Sequence, residues 1–348
     1  MKARRACARQ PRPRAWTRMS DEELLKLRFC DLGLKLGRTR VAPKIRRLYS
    51  ELGARGFKFR PHCWLAEEWF SPDGVPGIAI PFYLAHPRLE RLERRFMREV
   101  EGGNANWLMR VLRHEAGHAL DSAYRLRRRR GWRELFGPAS LPYPDSYRPR
   151  PGSRRFVQHL DSWYAQSHPT EDFAETFAVW LQPHSRWRSR YAGWPVIAKL
   201  EFVEQVMREL RGRRPPVLSR DEIEPLATDT RTLGQHYRRK IARYRRMRRG
   251  LADHMIRRVF GTPRHGRRPL AAATFMRRIK PDLRRAVRRR TDASDYAIHQ
   301  AMRLIIERCS AGHLTVNVPA RAARRNAVWL TVRLIDLLNE RVRRRVAV

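Results

Sequence analysis

The stretch WLMRVLRHEAGHALDSAY, residues 107–124, decides how the chain is read. Trp107, Leu108, Val111, Leu112, Ala119 and Ala123 recur at helical spacing, which predicts a buried helix over about 105–126. Inside it, His114-Glu115-Ala116-Gly117-His118 spells HExxH. Residues i and i+4 share one helix face, so both imidazoles can reach a single cation with Glu115 beside it. Two imidazoles and a carboxylate in the middle of a buried helix need partners. Zinc suits imidazole nitrogen at about 2.0–2.1 Å, and a catalytic centre keeps one position for water. Glu115 is then not a ligand but the base that takes a proton from that water, whose pKa falls to about 7.

A third ligand has to come from elsewhere. The residue types allow Asp121, His159, His168, Glu171, Glu175 and His184. The segment HPTEDFAETFA, residues 168–178, starts a helix at Pro169 that stops before Pro183. Glu171 and Glu175 lie four apart, hence on one face, with Phe173 and Phe177 as an adjacent apolar stripe. Such a pair suits one metal ligand and one acceptor for an imidazole N–H.

HEAGHALDSAY followed by SWYAQSHPTEDFAETFAVWL resembles the gluzincin-type zinc metallopeptidases, in particular those grouped with the catalytic domain of anthrax lethal factor and the Mlc titration factor. The stretch from Trp64 to Leu210 is also similar to a bacterial group of zinc-binding metallopeptidases. In those families HExxHxxD precedes a helix carrying ExFAE, whose first Glu binds zinc. The resemblance implies that Glu171 is the third ligand and that Asp121 and Glu175 orient the ligands. It implies a catalytic tyrosine seven residues before Glu171, at Tyr164, whose phenol supports the developing oxyanion or protonates the leaving amine. Asp172 departs from the pattern, standing where an aromatic is usual. His159, His168 and His184 are surplus to it and read as surface or capping residues.

Outward from these motifs, Ser20 and Glu23 form a capping box before Leu24, Leu25 and Leu27, so that Met19 could itself be a first residue. Residues 1–19, rich in Arg and Pro, read as a basic disordered arm. Helices are predicted over about 43–52, 87–100 and 195–210. Residues 57–85 read as two or three strands of a small antiparallel sheet, with Pro81 forcing the last one to an edge or a bulge. Around Ile78–Phe82 that edge could hold an extended peptide by strand addition. The fold class expected is α+β: a zincin-like domain over 20–210, helices over a small antiparallel sheet. RGRRPP at 211–216 then links to a mainly helical basic region, 211–348, with helices at about 235–260, 281–289, 293–308 and 320–345 and one strand at 313–318.

The chain of 348 residues has 76 Lys+Arg against 34 Asp+Glu, a net +42, which excludes an ordinary acidic or neutral enzyme. Only eight of the cations are Lys, so a compositional bias to Arg contributes. Residues 211–348 alone hold 36 basic and 11 acidic residues, and such a surface attracts nucleic acid or other polyanions weakly at low salt. No apolar run approaches the ~20 residues that cross a bilayer, and the N-terminus lacks an export signal's apolar core, so no membrane partner and a cytoplasmic location are expected. Cys7, Cys30, Cys63 and Cys309 form no CxxC pair and read as plain thiols. Two functions follow. One is a zinc-dependent metallopeptidase acting on peptide or protein substrate through Zn2+, His114, His118, Glu171, Glu115 and Tyr164. The other is a non-catalytic zinc protein with an Arg-rich nucleic-acid-binding or scaffolding role.

Overall fold

A computed structural model describes residues 15–97, 99–144, 147, 150, 152–246, 251–262 and 270–342. It is mostly helical, with one small sheet. In chain order the elements are α1 (Asp21–Leu24), α2 (Ala42–Ala54), β1 (His62–Ala66), β2 (Gly77–Pro81), α3 (Pro87–Met97), α4 (Ala105–Tyr124), α5 (Arg130–Phe136) and α6 (Pro169–Leu181). There follow α7 (Trp187–Arg190), α8 (Ile197–Glu209), α9 (Leu233–Arg246), α10 (Leu251–Val259), α11 (Ala272–Arg288), α12 (Asp295–Ala311) and α13 (Ala320–Val342). Among the described residues no helix is long and apolar enough to cross a membrane.

The chain divides into two compact units. The first runs through Phe96 and from Val100 to Arg238; the second takes Arg239–Arg343, with Met97–Glu99. The boundary therefore falls inside α9 and not at the RGRRPP segment. The reason is a set of bonds that hold 213–233 to the first unit. Val217 N–H donates to Ala123 O (3.2 Å), the Tyr124 phenol to Arg213 O (2.9 Å) and Trp64 Nε1 to Ile223 O (3.0 Å). Leu233 N–H closes the segment onto Leu27 O at 2.9 Å. At the other end, residues 1–14 of the expected basic arm lie outside the described residues. Residues 15–18 do not form an arm: Trp16 is buried and its indole N–H donates to Leu32 O at 2.9 Å. The capping box at Ser20 and Glu23 is present, with both of its bonds.

The sheet corrects the expectation of antiparallel strands. β1 and β2 are parallel, in register from His62 opposite Gly77 to Ala66 opposite Pro81. Alternation in a sequence sets which face a residue takes but not the direction of its partner. Here the turn at 71–76 reverses the chain onto Phe70 alone, whose carbonyl accepts from Ala79 N–H at 2.8 Å on an antiparallel bridge. β2 thus has neighbours on both sides, every residue of it is buried, and it offers no open edge for a peptide. Pro81, which cannot donate to a ladder, ends the strand.

Two helices carry the centre of the first unit. α4 begins where the Asn104 side chain accepts from Trp107 N–H (2.8 Å) and ends at Arg125 in the left-handed region (φ 53°). α6 begins on His168, whose ring accepts from Thr170 N–H, with Pro169 in the first turn. They cross at Gly117: a Cβ there would lie 2.9 Å from Ala174 Cα, so only glycine permits this approach. Phe173 and Phe177 on α6 are fully buried.

In the second unit α11, α12 and α13 enclose a core of Phe275, Ile279, Leu283, Ile298, Ile305 and Leu334. Of the predicted 235–260 helix, α9 and α10 give the described parts, and 247–250 lie outside the described residues. α11 starts well before Pro281, which lies inside it instead of opening it. The expected strand at 313–318 reduces to Thr315, which bridges Gly261 and Ala271.

Candidate metal centre

Helical period brings His114, Glu115 and His118 to the buried side of α4, and the same period on α6 turns Glu171 and Glu175 toward them. His114 Nε2 lies 3.1 Å from His118 Nε2 and 3.0 Å from Glu171 Oε2, and His118 Nε2 lies 3.3 Å from that same oxygen. Donors on a tetrahedral centre with bonds of ~2.0–2.1 Å stand about 3.3 Å apart. The triangle therefore has the size of a zinc ligand set. All three residues are buried, and they form a group able to hold a metal ion.

The hydrogen bonds around the triangle fix its chemistry. His114 Nδ1 donates to Glu175 Oε1 at 2.9 Å, which aims the Nε2 lone pair at the shared point. Glu175 in turn accepts from Leu160 N–H at 2.8 Å. Burial opposes charge on His114, yet its bonds to Glu171 and Glu175 outweigh that and push its pKa well above the imidazole range. The position thus demands a positive charge, which a proton or a divalent cation can provide. Burial would raise Glu171, but the charges and hydrogen bonds of His118 and His114 hold it far below the usual carboxylate range.

Glu115 is placed as a base would be. Ser71 donates to its Oε2 at 2.9 Å, while its Oε1 is buried without a hydrogen-bond partner. Burial raises the Glu115 carboxyl, and the two imidazoles pull it back. The Tyr164 ring packs against His114 with centroids 5.6 Å apart, and burial lifts its phenol well above the usual range.

The remaining candidates have other partners. Asp121, expected to orient a ligand, accepts from Arg127 N–H and Arg127 Nε, both at 2.8 Å, and so clamps the end of α4. His159 is held by Arg110 O at 3.0 Å, and burial lowers it to about 4, a neutral ring. His168 caps α6 and binds Leu141 O at 2.8 Å; His184 is exposed. Asp172 is not a surface change: it is buried and pairs with Lys199 Nζ at 2.5 Å, and burial raises it to about 7.

Two residues of the site escaped the sequence reading. One is Ser71. The other is Tyr143, whose phenol donates to Glu171 Oε1 at 2.8 Å while its ring stacks on His168 at 3.8 Å. Both sit in irregular segments where no periodicity marks them.

Fold and site together give a helix-borne group of two histidines and one glutamate able to hold a metal ion, with the buried Glu115 carboxylate on the same helix as the histidines. Residues 89–190, which contain every ligand candidate brought together here, match the model of a family described as "Putative zinc-binding metallo-peptidase". The match supports a metallopeptidase family for this stretch. No curated protein and no solved structure matches the chain.

Proposed function

We propose that the protein is a zinc-dependent metallopeptidase of the gluzincin type that hydrolyses peptide bonds. The observation that carries this is the convergence of His114 Nε2, His118 Nε2 and Glu171 Oε2 within 3.3 Å of one another, beside a Glu115 with a free buried oxygen. His114, His118 and Glu171 would hold the ion. When bound, zinc acidifies water and polarises the scissile carbonyl. Glu115 accepts the water proton on Oε1 while Ser71 keeps its other oxygen in place, then delivers that proton to the leaving amine. Tyr164, kept protonated by burial, donates to the negative charge developing on the substrate oxygen. Tyr143 donates to Glu171 Oε1 and so leaves Oε2 as the oxygen that faces the two imidazoles.

The experiment is a Glu115→Gln variant assayed for zinc and for cleavage of a peptide library. Zinc should be retained while turnover falls by about 10²–10⁴-fold, the usual worth of a general base. Undiminished turnover with zinc retained removes Glu115 as the base.

A second reading has the charge distribution behind it: the second unit buries almost no polar group and carries its arginines outside, as a nucleic-acid-binding or scaffolding part would. It is compatible with the first if that unit only localises an enzyme. A protein with zinc but no cleavage of any library peptide would favour it.

A further inference from the structure

Away from the metal centre, the first unit contains a cavity of about 650 Å³ between the start of β1 and the strap at 212–220. Five cations line it: Lys58, Arg60, Arg213, Arg214 and Arg220. No Asp or Glu does. Some arginines elsewhere in this unit are matched to carboxylates, as Arg127 is to Asp121 and Asp73, Arg113 to Glu51, and Arg231 to Glu67 and Asp229. Among the described residues none of the five has an ion pair; the charge of Arg213 is felt by Glu209, and the Arg60 guanidinium lies 5.8 Å from the centre of the Tyr49 ring.

The walls are fixed. Val217 N–H and Arg213 O are bonded to the end of α4, and Gly212 N–H donates to Gly56 O at 3.2 Å. His62, on the cavity wall, meets Asp221 O at 3.0 Å. Phe59, Pro215, Val217 and Leu218 add an apolar side to the lining. Pockets of roughly 300–1,000 Å³ with an apolar wall and a few convergent charges take small molecules. Guanidinium forks match phosphate oxygens two at a time, and phosphates supply several charges in little volume.

We propose that this cavity is a binding site for a small organic anion carrying two or more phosphate groups. The forks of Arg60, Arg213, Arg214 and Arg220 hold the phosphates, and the carbon body lies on Phe59 and Pro215. The site is independent of peptide hydrolysis.

The test uses the full chain, ADP as probe and titration calorimetry at about 150 mM salt, where diffuse attraction to a +42 protein is screened. Saturable one-to-one binding is expected. The triple variant Lys58→Ser/Arg60→Ser/Arg214→Ser should weaken it at least tenfold. A control, Arg277→Ser/Arg278→Ser/Arg289→Ser, removes as many exposed charges from the second unit and should change it less than twofold. Chelation of a metal by the probe would be equal in both variants. On the unaltered protein, pyrophosphate should displace ADP and adenosine should not. Absence of one-to-one binding, equal losses in the two variants, or displacement by adenosine and not by pyrophosphate would each overturn the proposal. None of these readouts involves cleavage, so they stand apart from the peptidase assignment.

Discussion

The two units solve the same problem, an Arg-rich chain that must fold, in opposite ways. The second buries few ionic groups: among its described residues the buried polar side chains are Lys240, Thr315 and Thr331. The two threonines donate to backbone carbonyls, Thr331 to Ala327 O at 2.7 Å and Thr315 to Gly261 O at 3.2 Å. The first unit buries charge in quantity, with Glu51 and Arg113 beside a centre made of His114, Glu115, His118, Glu171 and Glu175. Burying ionisable groups costs free energy unless each is paired, and paired charges seldom stabilise a fold better than hydrocarbon would. A region that concentrates them on two helices is therefore shaped by chemistry, whereas the other is shaped by packing.

The contrast can be broken by substitution. Arg113→Met leaves the buried Glu51 with only the half-exposed Arg47, and should cost about 3–5 kcal/mol in urea unfolding of the first unit. A loss below about 1 kcal/mol would mean that the buried charges are better solvated than the fold implies. Gly117→Ala drives a methyl group into the α6 backbone at Ala174. It should cost about 1–3 kcal/mol, and it should weaken metal binding because Glu171 moves with α6. Unchanged metal affinity would uncouple the helix crossing from the site. Arg303→Ala, which removes an exposed ion pair with Glu307 in the second unit, should shift stability by no more than about 0.5 kcal/mol, measured by the same unfolding.

Much of the site was legible because helices make distant positions predictable. HExxH at helical spacing put two imidazoles on one face, the resemblance singled out Glu171 among six candidates, and α6 begins and ends close to where Pro169 and Pro183 indicate. What was not legible depends on pairing across the chain. Ser71 reaches Glu115 over 44 residues and Arg113 reaches Glu51 over 62, and nothing local announces either. The strand direction failed for the same reason, since the turn after Phe70 joins it to β2 and not to β1. A Pro- and Arg-rich stretch reads as a linker, and its backbone bonds to Ala123 and Gly56 are not announced by any local pattern. Nor does anything in the sequence announce that Arg127, six residues on, binds the Asp121 carboxylate.

The central claim is that two imidazoles and the Glu171 carboxylate share one ion. Elemental analysis of the purified chain and of its Glu171→Ala variant tests it most directly, with helix content checked by circular dichroism. The account predicts one zinc per chain in the unaltered protein and less than a tenth of that in a variant that remains folded. Full zinc occupancy in the folded variant, or none in the unaltered protein after growth and purification with zinc present, would contradict it.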